Sequence, residues 1–298
     1  MIWDGGFGIS DRLSAGQSIR NPKSTIPNRN IPNPLIMFNL TPSVRLLLFI
    51  NVGVFFLTSS LGPGVVDRFA LHSVLSAQFN PIQFITHMFM HAGLGHLFSN
   101  MLGLIVFGPM LERFWGPRRF LTFYFLTGLG AASLYLGVNY YEMHALVEGF
   151  NQYRANPTNG EFLGFINQYA SSIYDPLEPF IQKFDADQTN KTYIDQSIQL
   201  LARYVGEHVD TPMVGASGAI FGVIMAFGLL FPNTELYLLF LPFPIKAKYL
   251  VGAYALWEVY SGVYKAQSDG VAHFAHIGGM VFAYLIVKVW GSQRKTFY

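Results

Sequence analysis

The chain has 298 residues, of which 51% are hydrophobic and only 12% are charged. Soluble domains carry roughly 25% charged residues, so much of this chain has no water-facing surface to cover. The 19 Lys and Arg residues nearly balance the 17 Asp and Glu residues, which argues against the basic face of a nucleic-acid binder. Cysteine is absent, so disulfides and thiolate metal sites are excluded. The composition indicates an integral membrane protein.

Six segments are long and apolar enough for a transmembrane helix, which needs roughly 20 mostly apolar residues. The sequence predicts these spans at residues 44–60, 84–107, 120–141, 213–231, 236–259 and 271–290. Pro and Lys residues interrupt the fifth, so we expect its span proper to begin near Tyr249. The predicted fold is an all-α membrane protein, with a six-helix transmembrane bundle over residues 41–290.

Loop charges predict the orientation of the bundle. Most of the 19 Lys and Arg residues fall on one side of the spans, which the positive-inside rule places in the cytoplasm. Residues 1–40 are then a polar cytoplasmic segment, and residues 291–298 are a cytoplasmic tail. Residues 1–40 contain no apolar run, so we expect the first span to direct insertion into a bacterial plasma membrane.

Residues 142–210 differ from the rest of the predicted membrane domain. They are polar and lie on the predicted outer side, between the third and fourth spans. Apolar residues still recur at helical spacing, at Ile194, Ile198, Leu201 and Val205. We therefore predict a partly helical extramembrane insertion.

Polar residues within the second predicted span form the first candidate cluster. His96 and Asn100 are four residues apart and share one helix face, where two donors in a dry setting can stabilise a developing oxyanion. His87 and His91 repeat this spacing nearer the outer end. A His pair at this spacing also suits zinc, but the glutamate of the HExxH motif is missing. We therefore predict no metal and no cofactor.

Ser217 lies among small residues near the start of the fourth predicted span. Gly218 and Gly222 fit close helix packing equally well, and serines flanked by glycine are common without catalytic meaning. The free N–H groups at a helix start place partial positive charge beside this hydroxyl. Its position therefore makes Ser217 a candidate nucleophile.

The sixth predicted span carries two histidines, and a polar group in hydrocarbon needs a partner. Gly279 and Ala283 share a face with His276, so this span can pack closely on the fourth and let His276 take the Ser217 proton. His273 lies three residues earlier on nearly the same face. Spacing alone does not separate the two histidines.

Together these motifs resemble those of the rhomboid family of intramembrane serine proteases. In chain order they are His96-x-x-x-Asn100, Gly108-x-x-x-Glu112, Gly215-Ala-Ser217-Gly218 and Ala275-His276-x-x-Gly279. The resemblance covers about residues 41–140 and 211–290. It implies that Ser217 is the nucleophile and His276 the general base, without a third acidic member.

The resemblance also implies supporting roles. The side chains of His96 and Asn100 and the backbone N–H of Ser217 would bind the oxyanion, and Phe221 would pack on the catalytic histidine. The other supporting residues are Gly215, Gly218 and His91. Substrate helices would enter beside the fifth span, near Trp257 and residues 261–270.

Two departures from the family pattern stand out. Many members carry Trp-Arg in the loop between the first two spans, where this chain has Ile82-Gln83, and the insertion at 142–210 is longer than the usual connection. A catalytically silent binding protein of this family, or a transporter with histidine proton relays, are the alternatives. Both catalytic residues are present, and the spans contain hardly any Asp or Glu and no inverted repeat. We therefore expect a protease that acts on transmembrane proteins within the lipid bilayer; its oligomeric state is open.

Overall fold

The computed structural model describes residues 40–237, 243–264 and 271–292. Its helices are α1 (Pro42–Leu61), α2 (Pro63–Phe69), α3 (Gln83–Thr86), α4 (Leu94–Trp115), α5 (Pro117–Ala155), α6 (Asn159–Tyr169), α7 (Tyr174–Ala186), α8 (Lys191–Asp210), α9 (Ser217–Leu230), α10 (Ala247–Tyr264) and α11 (His273–Ser292). A short antiparallel pair, β1 (Glu235–Leu236) with β2 (Ile245–Lys246), precedes α10. The predicted all-α fold is confirmed. Nearly all of the predicted N-terminal segment and tail lies outside the described residues.

Helices α1, α4, α5, α9, α10 and α11 correspond to the six predicted spans. Within the described part of the chain, α1, α4, α5 and α11 are long and apolar enough to cross a membrane, and α9 is a shorter apolar helix. Large apolar side chains stand exposed on their outer faces, including Phe49, Leu57, Phe98 and Leu256. Such a surface suits lipid rather than water. The chain is an integral membrane protein.

The second predicted span is wrong at its outer end. Helix α4 begins at Leu94, ten residues after the predicted start, and a single 3₁₀ turn (His87–Phe89) lies before it. The backbone is extended at Met90 (φ −85°, ψ 142°), and glycines at 93 and 95 favour helix least among ordinary residues. His87 and His91 therefore do not share a helix face. The fifth span begins at Ala247, close to the predicted Tyr249.

A buried carboxylate joins α4 to the start of α1. Glu112 accepts hydrogen bonds from the backbone N–H groups of Ser43 (2.9 Å) and Val44 (3.0 Å) and from the Thr41 hydroxyl. The first N–H groups of a helix have no intrahelical partner and attract negative charge. Gly108 allows the close packing, because a Cβ there would lie 2.8 Å from Val44 Cγ2.

Gln83 organises the loop between α2 and α3. Its side chain is buried; Oε1 accepts from the backbone N–H groups of His72 (3.3 Å) and Asn80 (3.1 Å). Its Nε2 donates to the carbonyls of Arg68 (3.2 Å) and Gln78 (3.0 Å). The residue that departs from the family pattern therefore ties this loop together.

The region 142–210 is helical almost throughout. Helix α5 runs unbroken past residue 142, so the structure shows no break at the predicted start of the insertion. The end of α5 packs with α6, α7 and α8 around a separate apolar core, in which Phe162, Phe184 and Leu201 are fully buried. Ser76 donates to Asp210 Oδ1 (2.5 Å) and so joins the end of α8 to the loop after α2.

Replacing the capping carboxylate tests the α1–α4 connection. Glu112→Ala leaves three donors without their acceptor, so we expect it to lower the free energy of unfolding in detergent by about 1–3 kcal/mol. Glu112→Gln keeps one acceptor oxygen and should lose less. Glu178→Ala, at an exposed position on α7, is the control and should change stability by less than about 0.5 kcal/mol. Unchanged stability of Glu112→Ala would contradict the capping role.

Candidate active site

Helices α9 and α11 approach each other at the backbone. A Cβ added to Gly279 would lie 1.9 Å from the carbonyl oxygen of Gly218, and one added to Gly218 would lie 2.5 Å from Ala131 Cβ on α5. A Cβ on Gly278 would come within 2.9 Å of Ala131 Cα. Three helices therefore meet where small residues face one another.

This crossing brings Ser217 and His276 together. Ser217 is the first residue of α9, and its Oγ lies 2.9 Å from His276 Nε2 in the first turn of α11. The ring of Phe221, one turn after the serine, stacks on the imidazole at 4.1 Å between centroids and 12° between planes. Ser217 remains partly exposed. The structure thus distinguishes the two histidines that spacing left equivalent.

A carboxylate on α10 holds the other side of the imidazole. Glu258 Oε2 lies 2.9 Å from His276 Nδ1 and 2.7 Å from His273 Nδ1. An ionised carboxylate only accepts hydrogen bonds, so we assign the proton of each ring to Nδ1. His276 Nε2 is then the acceptor that faces the Ser217 hydroxyl.

Glu258 is absent from the site predicted from sequence. The expectation of a Ser–His pair without an acidic neighbour is incomplete, because Glu258 is only 4% exposed and contacts the proposed base. The scarcity of acidic residues, which argued against a transporter, also has this exception. A carboxylate in an otherwise apolar span is the signal by which sequence reasoning could have identified Glu258, since such groups usually mark function.

Gly215 separates His96 from Ser217. Its φ of 125° lies in the region that favours glycine. A Cβ there would lie 2.7 Å from His96 Nε2 and 3.6 Å from Ser217 Oγ. Its N–H donates to the carbonyl of His87 (2.9 Å). A side chain at 215 would therefore displace the His96 ring from the region next to the serine.

Asn100 carries an unpaired donor. It lies one turn after His96 on α4 and is 4% exposed, and its Nδ2 has no hydrogen-bond partner among the described residues. An unsatisfied buried donor costs about 1–3 kcal/mol, so this amide suits an oxygen that arrives with a ligand. His91 lies before α4; its ring packs edge-on against His96 at 5.2 Å, and its Nδ1 hydrogen-bonds the carbonyl of Phe89 (3.3 Å).

One group of side chains has the composition of a metal site. Ligand atoms of Glu258, His273 and His276 lie within 4.8 Å of one another. Their 2.7 and 2.9 Å contacts have the length of hydrogen bonds, and each ring N–H has the carboxylate as acceptor. The contacts are therefore accounted for without an ion, while the absence of a metal stays a prediction.

Only part of the expected substrate gate can be described. Trp257 is 54% exposed on α10, and its ring lies 6.1 Å from that of Tyr260. Residues 261–264 are the last turn of α10, with Ser261 and Gly262 buried. Residues 265–270 lie outside the described residues.

The fold and the site define a helical membrane protein with a serine–histidine contact between two of its apolar helices. The family model described as "Rhomboid domain" matches residues 78–150 and 192–293, more than half of the chain. The chain therefore belongs to the rhomboid family. The unmatched residues 151–191 comprise the end of α5, helices α6 and α7 and the segments that connect them, up to the first residue of α8.

Two plant proteins are similar to this chain. "RHOMBOID-like protein 12, mitochondrial" from Arabidopsis thaliana is 24% identical over 212 residues, which are 71% of this chain and 46% of the relative. "Rhomboid-like protein 16, chloroplastic" from the same species is 34% identical over 95 residues, 30% of this chain and 29% of the relative. The matches thus span less than half the length of these curated relatives.

The helix crossing can be tested with one methyl group. Gly279→Ala places a Cβ against the backbone oxygen of Gly218, which cannot rotate away, so we expect α9 and α11 to separate at a cost of about 1–3 kcal/mol. Gly291→Ala, on the same helix with open space around it, should leave stability unchanged or slightly higher. Unfolding in detergent provides the measurement, and equal stability of the two variants would refute the close crossing.

Proposed function

We propose that this protein is an intramembrane serine endopeptidase, which hydrolyses peptide bonds in or near transmembrane segments of other membrane proteins. The supporting observation is the 2.9 Å contact between Ser217 Oγ and His276 Nε2 inside a helical membrane bundle. A hydroxyl is a weak nucleophile until an adjacent base takes its proton. Ser217 is the nucleophile and His276 is that base.

The reaction proceeds in two halves. Ser217 Oγ attacks the carbonyl carbon of the scissile bond while its proton moves to His276 Nε2. The protonated ring then gives this proton to the leaving nitrogen, the C–N bond breaks, and an acyl-enzyme remains. A water molecule attacks the acyl carbon and gives a proton to His276, which returns it to Ser217 Oγ as the carboxylic acid leaves.

The developing negative charge needs donors beside Ser217. The backbone N–H of Ser217, at the start of α9, and the imidazole of His96 lie next to the reacting hydroxyl. The unpaired Asn100 Nδ2 supplies a third donor. Preorganised donors of this kind favour the tetrahedral oxyanion over the planar carbonyl.

The substrate and its approach follow from the apolar surface. One face of α10 exposes Leu256, Trp257 and Tyr260, while Glu258 lies on the inner face. A substrate helix in the bilayer meets this face, and it must unwind locally because helical hydrogen bonds shield its peptide bonds. The substrates are transmembrane proteins.

The bacterial plasma membrane expected from sequence has no support from the two plant relatives, whose names place them in the mitochondrion and the chloroplast. The active site opens on the side that carries α6 to α8, because Ser217 follows α8 directly along the chain. The start of α1 and the end of α11 lie on the opposite side, which is the predicted cytoplasmic side.

Substitution of the two reacting residues tests this function. We expect Ser217→Ala and His276→Ala each to lower cleavage of a fluorogenic transmembrane substrate in liposomes by about 10⁴-fold or more, because neither can replace the missing group. Ser99→Ala, an exposed serine that bonds only within its own helix in the described structure, should cleave at the wild-type rate. Cleavage by Ser217→Ala at the wild-type rate would contradict the protease proposal. A wild-type protein that does not cleave the substrate would favour a binding protein.

The oxyanion donor has a separate test. Asn100→Ala removes one donor and leaves the nucleophile and base in place, so kcat should fall by about 10²- to 10³-fold. Stability should fall little, because Asn100 Nδ2 has no hydrogen-bond partner to lose among the described residues. A loss of stability without a loss of kcat would show that Asn100 serves packing instead.

A further inference from the structure

Glu258 is placed where a carboxylate is costly. It lies in an apolar helix and is 4% exposed, and a charge removed from water needs close partners to remain ionised. The burial pattern of the helix shows its direction: Val251, Glu258, Ser261 and Gly262 are buried and lie on one face of α10. The carboxylate therefore faces α11 rather than lipid.

Its partners are the two histidines of α11. His273 and His276 both direct Nδ1 at the same oxygen, Oε2, at 2.7 and 2.9 Å. Helices α10 and α11 lie close together here, since a Cβ added to Gly262 would be in van der Waals contact with His273 Cβ at 3.4 Å. Two N–H donors on one oxygen offset much of the desolvation cost.

The same carboxylate constrains the ring that acts on Ser217. His276 is held at Nδ1 by Glu258, on its face by Phe221 and at Nε2 by the serine hydroxyl. With the proton kept on Nδ1, the lone pair of Nε2 points at Ser217, which a general base requires. After proton transfer, the negative charge lies beside the imidazolium and stabilises it.

We propose that Glu258 is a positioning residue, which completes a hydrogen-bonded series Ser217–His276–Glu258 across three membrane helices. The inference rests on the proposed function and deepens it. The carboxylate keeps its charge throughout the reaction and does not take the proton. His273 acts one step further away, since its N–H holds the carboxylate in place.

A metal ion bound by Glu258, His273 and His276 would prevent His276 from acting as the general base. Coordination by His276 Nδ1 would force the ring proton onto Nε2, and the ring would no longer accept the Ser217 proton. A bound ion would therefore inhibit cleavage. The hydrogen-bonded arrangement predicts full activity of the metal-free protein.

Two substitutions separate charge from shape. Glu258→Gln keeps the shape and loses the charge, whereas Glu258→Asp keeps the charge on a shorter side chain. We expect Glu258→Gln to lower kcat by about 10²- to 10⁴-fold with KM within about threefold of wild type, and Glu258→Asp to retain more activity than Glu258→Gln. A merely structural role predicts the reverse order, because the isosteric variant then does less damage.

The experiment uses the full chain in liposomes with the fluorogenic transmembrane substrate, and unfolding midpoints are measured in parallel. Glu178→Gln, exposed on α7, is the matched control and should keep wild-type kcat. The inference is overturned if Glu258→Gln keeps the wild-type kcat, or if Glu258→Gln has a higher kcat than Glu258→Asp. In either case Ser217-dependent cleavage still supports the protease proposal. The inference is also overturned if excess EDTA abolishes the activity and zinc restores it. If the wild-type protein shows no Ser217-dependent cleavage, both the protease proposal and the role of Glu258 are overturned.

Discussion

The contact between the backbones of α9 and α11 is the constraint on which the site depends. Gly279 has no side chain, and its α-carbon faces the carbonyl of Gly218, so the two helices pack without side chains between them. This close packing brings the serine at the start of α9 within hydrogen-bond distance of the histidine in the first turn of α11. A bulkier pair of helices would hold the same two groups too far apart for proton transfer.

Buried polar side chains join the elements around this crossing. Glu112 caps α1 from α4, Gln83 closes the loop before α4, and Glu258 joins α10 to α11. In an apolar surrounding such groups are stable only when their hydrogen bonds are satisfied. Among the described residues, Asn100 Nδ2 and His91 Nε2 at the site have no hydrogen-bond partner, and the Asn100 amide lies where a reacting oxygen would need a donor.

Local patterns in the sequence predict the helices and bring Ser217 near the histidines of the last span, whereas the choice of His276 over His273 came from the resemblance to the rhomboid motifs. Apolar length marks the spans, and Gly279 and Ala283 mark the face of α11 that packs closely. The position of Glu258 depended on how α10 rotates against α11, and no spacing within one segment contains that information. Similarly, the spacing of His87 and His91 suggested one helix, but the backbone is extended at Met90 between them and α4 begins only at Leu94. The site is therefore partly a product of packing between segments distant in sequence.

The most direct measurement of the central claim is the site of reaction with a fluorophosphonate, which modifies only an activated serine. Peptide mapping by mass spectrometry of the labelled protein in liposomes should find the adduct on Ser217, and His276→Ala should abolish it. An unlabelled Ser217 in the folded wild-type protein, or equal labelling when His276 is replaced, would contradict the account.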